Sequence, residues 1–124
     1  MDKLNFQQKI AVMRILFDII NADGRIVARE KFSLHKIAYM LNVSEEERQC
    51  VNEANSLLSL LQIKGFDEDQ KIEMAKMMGQ QIVVDNDINV NEMAIYELVC
   101  STCGIDIKFE DVVSQEQLEN STRS

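Results

Sequence analysis

Apolar residues spaced for helices, with no proline to interrupt them, restrict this chain more than any other feature. Proline is absent and glycine occurs 4 times in 124 residues, so nothing in the backbone forbids long helices. Phe6, Ile10, Met13, Phe17 and Ile20 step by four and three, which is the period of one helix face. Leu34, Ile37, Ala38 and Leu41 mark a second helix. Val51, Ala54, Leu58 and Leu61 mark a third, opened by Ser44 as N-cap with Glu47 at the capping-box position. Ile63-Lys64-Gly65-Phe66 reads as a connector. Asp67 then caps a fourth helix carrying Ile72, Ala75, Met78 and Ile82, with Gln70 three residues after the cap. A fifth carries Tyr96, Val99, Cys100 and Cys103 and stops at Gly104. No segment alternates with period two for long enough to be a strand. The fold class is all-α: about five main helices, with a short C-terminal helix expected within residues 105–113.

An internal repeat organises these helices. Adding 62 to Ile10, Leu16 and Ile20 lands on Ile72, Met78 and Ile82. The same offset carries Asp23, Ile26 and Glu30 onto Asp85, Ile88 and Glu92, and Leu34, Ile37, Ala38 and Leu41 onto Tyr96, Val99, Cys100 and Cys103. The unit is a long helix, a short Asp-x-x-Ile-x-x-x-Glu loop and a second helix. Two such pairs, joined through the third helix, bury apolar faces that neither could bury alone. Residues 1–113 form the single domain, and the polar run 114–124 reads as a disordered tail.

Charge and cysteine usage narrow the function classes. Lys and Arg number 13 against 21 Asp and Glu, a formal charge of −8, which disfavours binding to nucleic-acid backbones and anionic membranes. No apolar stretch reaches the ~20 residues of a membrane-spanning helix. Met1-Asp2-Lys3-Leu4-Asn5 runs into Gln7-Gln8-Lys9 and not into a leader-like apolar run, so the expected setting is a reducing cytoplasm with Cys50, Cys100 and Cys103 as free thiols.

The run Ala22-Asp23-Gly24-Arg25-Ile26, then Glu30, then Ile37-Ala38-Tyr39-Met40-Leu41-Asn42-Val43-Ser44 resembles the TerB-like family. That family takes in tellurite-resistance TerB proteins and the N-terminal cytosolic part of DjlA-type co-chaperones. The resemblance spans roughly residues 4–110, with a weaker copy in the second repeat. It implies two pseudo-symmetric helix pairs and an accessory role in bacterial stress contexts. It also implies that some members bind a divalent metal at the acidic loops.

Several residues are candidates for chemistry. Asp85, Asp87, Asn89 and Glu92 place four oxygen donors within eight residues, the hard ligands that Ca²⁺ or Mg²⁺ prefers. The run departs from an EF-hand loop at Val90 and Tyr96, where Gly and the bidentate Glu belong. Capping competes with metal binding here, because Asn89-x-x-Glu92 is a capping box and Glu30 can reach back likewise. Asp23 and Glu30 form the corresponding first-loop pair, with Arg25 standing where Asp87 stands in the second. Cys100-x-x-Cys103 lacks a partner pair and falls on the core stripe, so packing explains it better than zinc or redox chemistry. His35, the only histidine, flanks that stripe, and a dyad with Cys50 has no local signature. Met74 and Met77, with Met93 on the next helix, are candidates for an adaptable partner groove.

The expected function is therefore a non-enzymatic cytoplasmic module that docks an unidentified protein partner. The alternatives are a metal-dependent hydrolase using the acidic-loop residues, and a dimerisation module that buries the fourth helix against its own copy.

Overall fold

Helix ends show most directly how the chain is built. The computed structural model describes residues 4–22, 24, 28–84 and 88–112. Seven helices follow one another within them: α1 (Phe6–Ile20), α2 (Ala28–Met40), α3 (Glu45–Glu53), α4 (Ser56–Lys64), α5 (Glu68–Val83), α6 (Val90–Cys103) and α7 (Phe109–Val112). No described residue lies in a strand, and the fold is all-α. None of these helices is long and apolar enough to cross a membrane.

The repeat is written into the caps. Asn5 Oδ1 accepts from Gln8 N at 2.8 Å while Gln8 Oε1 accepts from Asn5 N at 3.0 Å. Asp67 and Gln70, at the offset positions, make the same reciprocal pair at 2.8 and 3.0 Å. Leu4 and Phe66, just before these caps, are both buried. At the far end, Asn42 and Gly104 take φ of +57° and +70° after α2 and α6. Val43 N then bonds Ala38 O, and Ile105 N bonds Cys100 O, each at 2.9 Å. These are Schellman closures, with buried Val43 and Ile105 packing beneath them. Asn serves in the first copy because its short polar side chain tolerates the left-handed region that glycine occupies freely.

Each unit therefore has three helices, α1–α3 and α5–α7, with α4 as the join. This refines the two helix pairs expected from the apolar pattern. The expected third helix is divided: α3 ends at Glu53, Ala54 is extended at ψ 146°, and Asn55 Oδ1 caps α4 by accepting from Leu58 N at 3.0 Å. Those two residues reset the helical phase. Leu58 and Leu61, expected in the core, are 62% and 55% exposed, while Ser59 and Ile63 turn inward. Helix α1 holds the break. Arg14 Nη1 donates to Val51 O and Asn52 O at 3.1 and 3.2 Å, satisfying the last carbonyls of α3. Ser56 Oγ donates to Asp18 Oδ2 at 2.6 Å, and Arg14 pairs with Asp18 at 3.2 Å.

The core centres on α1, which packs against each helix from α2 to α6. Ile10, Ala11, Val12, Met13, Ile15, Leu16, Ile19 and Ile20 are all buried, covering almost every direction around its axis. Helix α5 is its counterpart, packing on α1, α2, α6 and α7. A buried bond ties the two units together: Gln81 Nε2 on α5 donates to Glu30 O on α2 at 2.9 Å.

Candidate docking surface

The acidic-loop candidates divide between described and undescribed residues. Asp23, Asp85 and Asp87 lie outside the described set, so a convergence of the two loops is not on view. Asn89 is the N-cap of α6, and its Oδ1 accepts from Asn91 N at 2.8 Å and Glu92 N at 3.1 Å. Glu30 and Glu92 occupy equivalent places at the heads of α2 and α6, and each is 2% exposed. Both carboxylates are thus built into the interior, unlike Glu47, which caps α3 from the surface. Among the described residues, no three His, Cys, Asp or Glu side chains cluster closely enough to hold a metal ion. The described donors do not by themselves make a cation site.

Sulfur chemistry is muted by burial. Cys103 is buried and its thiol donates to Leu60 O at 3.3 Å, Cys100 is half-buried, and Cys50 is exposed. Burial pushes the thiols of Cys100 and Cys103 above the ordinary cysteine value, which keeps both protonated and unreactive. Tyr96 packs edge-on to Phe109 at 5.7 Å and donates to Ile107 O at 2.8 Å, fastening α6 to the segment before α7. His35 sits at the surface with Nδ1 3.1 Å from Arg48 Nη1, so its partner among the described residues is a guanidinium and not Cys50.

The methionine groove requires correction. Met74 and Met77 are 0% and 6% exposed and belong to the core, because α5 is surrounded by neighbouring helices rather than lying at an edge. Met93 is half-buried against that core. Helix α5 consequently presents no methionine-lined groove and little apolar surface for a copy of itself; only Ile72 is exposed among its large apolar side chains, at 38%.

The free apolar surface lies elsewhere. Phe32, Tyr39 and Met40 on α2 are 67%, 85% and 72% exposed. They stand seven and eight residues apart, so they line one face of α2, opposite the buried Ile37 and Ala38. Helix α2 therefore carries two apolar stripes, one inward and one outward. Beside the outward stripe a cleft of about 360 Å³ opens between α1, α2 and α3. Met13, Phe17, Leu34 and Val51 are among the side chains of its floor, and Lys31, His35 and Arg48 stand among its polar groups. A second exposed apolar set, Leu57, Leu58 and Leu61 on α4 with Phe6, results from the phase reset at Ala54-Asn55. The outward stripe could have been read from the spacing of Phe32, Tyr39 and Met40. The cleft could not, since it depends on where α3 ends.

The fold is matched by the crystal structure of a protein of unknown function from Porphyromonas gingivalis, with a TM-score of 0.76. The match covers 98% of this chain and 92% of that one, at 20% sequence identity. The likeness shows the fold. No protein-family model and no curated protein matches the chain.

Proposed function

We propose that this chain is a non-enzymatic helical docking module of TerB-like type, which binds a protein partner on the outward face of α2. The observation that carries the reading is the exposure of Phe32, Tyr39 and Met40 on one helix face beside an apolar cleft. Side chains of that size lose solvent favourably only when something covers them, at roughly 25 cal/mol per Å² of apolar area. Sequence features of the TerB-like type and the helical repeat agree with an accessory role and name no substrate. The test is site-specific photo-crosslinking in cells that express the protein. A photoreactive residue at position 39 gives a discrete heavier adduct, identified by mass spectrometry, and one at the offset position 101 on α6 gives none. Equal crosslinking from both positions would remove the reading.

A second reading is favoured by one feature, the interior carboxylate of Glu92 at the head of α6. It places a Ca²⁺ or Mg²⁺ ion on the loop before that helix, with Asp85 and Asp87 as the further ligands and Asn89 retained as cap. An ion at 100 times its Kd raises stability by about 2.7 kcal/mol. Chelator-treated protein melted with Ca²⁺, Mg²⁺, Mn²⁺ or Zn²⁺, beside an Asp85→Asn/Asp87→Asn variant, reads this directly. A shift of several degrees with one ion, abolished in the variant, is the expected result; no shift with any ion ends the reading.

A further inference from the structure

The proposed docking face differs from the rest of the protein in charge. The chain carries a formal −8, yet the exposed charged side chains of α2 are Arg29, Lys31 and Lys36, while its one carboxylate, Glu30, is buried. The Arg14–Asp18 and Lys76–Glu73 ion pairs leave Lys31 and Lys36 out. Lys36 Nζ instead lies 5.9 Å over the Phe32 ring, which keeps that cation beside the apolar stripe.

Arg48 adds a second observation. It reaches the cleft from α3, and its Nη1 lies 3.1 Å from His35 Nδ1. A guanidinium only donates, so Nδ1 is the acceptor in that contact. Arg48 Nε is buried and has no hydrogen-bond partner among the described residues. A guanidinium at the edge of an apolar wall suits a carboxylate, which can accept two parallel bonds from it. The acidic first turn of α3 (Glu45, Glu46, Glu47) adjoins the C-terminal end of α2, so the positive field covers the earlier turns of α2 and the cleft mouth.

We propose that this face receives an acidic amphipathic helix from a partner protein. One apolar side chain of that helix fills the cleft between α1, α2 and α3, others pack on Phe32, Tyr39 and Met40, and its carboxylates meet Lys31, Lys36 and Arg48. The inference rests on the docking reading above and gives it a partner chemistry. The mode is helix-in-groove recognition, in which apolar anchors at i, i+3, i+4 and i+7 set the register and flanking charges set the partner. At about 360 Å³ the cleft lies at the low end of small-molecule sites, and it is large enough for one branched or aromatic side chain. A membrane surface would also favour Lys beside Phe and Tyr, but the −8 of the whole chain opposes approach to anionic lipid.

The test uses the full chain and labelled helix-forming peptides followed by fluorescence anisotropy. One peptide has Leu and Phe at i, i+3, i+4 and i+7 with Glu on the flanks. A second keeps the apolar residues with Lys on the flanks, and a third keeps Glu but replaces the apolar residues by Ser. The first peptide binds, at least about tenfold tighter than either control, and weakens as salt is raised. A Lys31→Glu/Lys36→Glu/Arg48→Glu variant, shown folded by circular dichroism, reverses the preference toward the Lys peptide. Equal or tighter binding of the Lys peptide to the unmodified protein overturns the acidic-helix chemistry. If that binding is lost in Tyr39→Glu, the docking reading survives without it. Absence of binding by all three peptides overturns the proposal, and the crosslinking from position 39 then decides the docking reading separately. Co-sedimentation with phosphatidylcholine–phosphatidylserine vesicles, without peptide binding, overturns it in favour of a lipid surface. Self-association seen by light scattering and abolished by Tyr39→Glu, again without peptide binding, overturns it in favour of a second copy.

Discussion

Helices α2 and α6 occupy equivalent places in the two units, and they agree inward while differing outward. Glu30 and Glu92 are each 2% exposed, Ile37 and Val99 are 3% and 1% exposed, and Asn42 and Gly104 close both helices through the left-handed region. The outward residues share nothing. Phe32, Lys36, Tyr39 and Met40 on α2 stand opposite Ala94, Leu98, Ser101 and Thr102 on α6. Packing constrains both inner faces in the same way, because each closes on a core centred on α1 and α5. No such constraint acts on the outer faces, so an aromatic and cationic surface on one alone points to a use particular to α2.

The largest expected effects test the inward agreement. Ile37→Ala and Val99→Ala each remove a buried branched side chain from matching positions. Ile37→Ala should cost about 2–5 kcal/mol, and Val99→Ala a little less because fewer atoms are lost. Urea unfolding measures both. A variant losing less than about 1 kcal/mol would show that its unit is loosely packed and that the repeat is one of chain path only.

Left-handed closure gives the next effect. Gly104→Ala places a β-carbon at positive φ, and Asn42→Ala removes the short polar side chain that tolerates that region, each at a cost of about 1–2 kcal/mol. A Cβ at Gly104 would meet Lys71 Nζ at 3.7 Å, an ordinary contact, so the cost there is one of backbone conformation. Asn42→Gly should leave stability unchanged or slightly raised. Thermal melts of the three variants separate conformation from side-chain bonding: a loss in Asn42→Gly equal to that in Asn42→Ala would mean the Asn side chain itself holds the turn.

Titration distinguishes the units more weakly. Glu47 is held below the ordinary carboxyl value by its bond from the Ser44 backbone N–H. A depressed folded value contributes stability that is present above the unfolded value and lost as pH falls through the folded one. Acidification should therefore loosen the α3 cap, whereas the α1 cap, closed by Gln8, has no titrating acceptor at that position. Half-buried Cys100 and buried Cys103 act in the opposite sense. Their raised values contribute stability that is complete below the unfolded thiol value and lost as pH rises through the folded one, so the second unit weakens on the alkaline side. Amide exchange across pH reads both. At neutral pH a thiol reagent should label Cys50 first and Cys103 only after unfolding.

Legibility from sequence followed the same division between inside and outside. Periodic apolar residues and cap pairs such as Ser44/Glu47 and Asp67/Gln70 are local signals, and they yielded the helices and the offset. The break at Ala54-Asn55 did not show, because Val51, Ala54, Leu58 and Leu61 fit one helix and neither Gly nor Pro marks the division. What holds it is Arg14, 37 residues before Val51, and such a bond has no signature in local spacing. Met74 and Met77 were misplaced for a related reason: periodicity finds the face of a helix but does not count how many neighbours surround it. The outward stripe of α2 was present in the spacing of Phe32 and Tyr39, but it was masked by the stronger core stripe beside it.

The smallest effect on stability is the one that bears most on function. Phe32→Ser, Tyr39→Ser and Met40→Ser alter side chains that are 67%, 85% and 72% exposed, so each should change unfolding free energy by no more than about 0.5 kcal/mol. The triple variant should melt close to the unaltered protein and still lose the acidic peptide, and Phe32→Ser/Met40→Ser should lose the adduct formed from position 39. A matched change on α6, Leu98→Ser, removes an exposed apolar side chain with 55% exposure and should leave both intact. Outward residues that stabilise nothing and yet abolish binding on one helix only are what a docking face requires. If the α2 triple variant instead loses several kcal/mol, those side chains support the fold, and the contrast between the two outer faces has a structural cause.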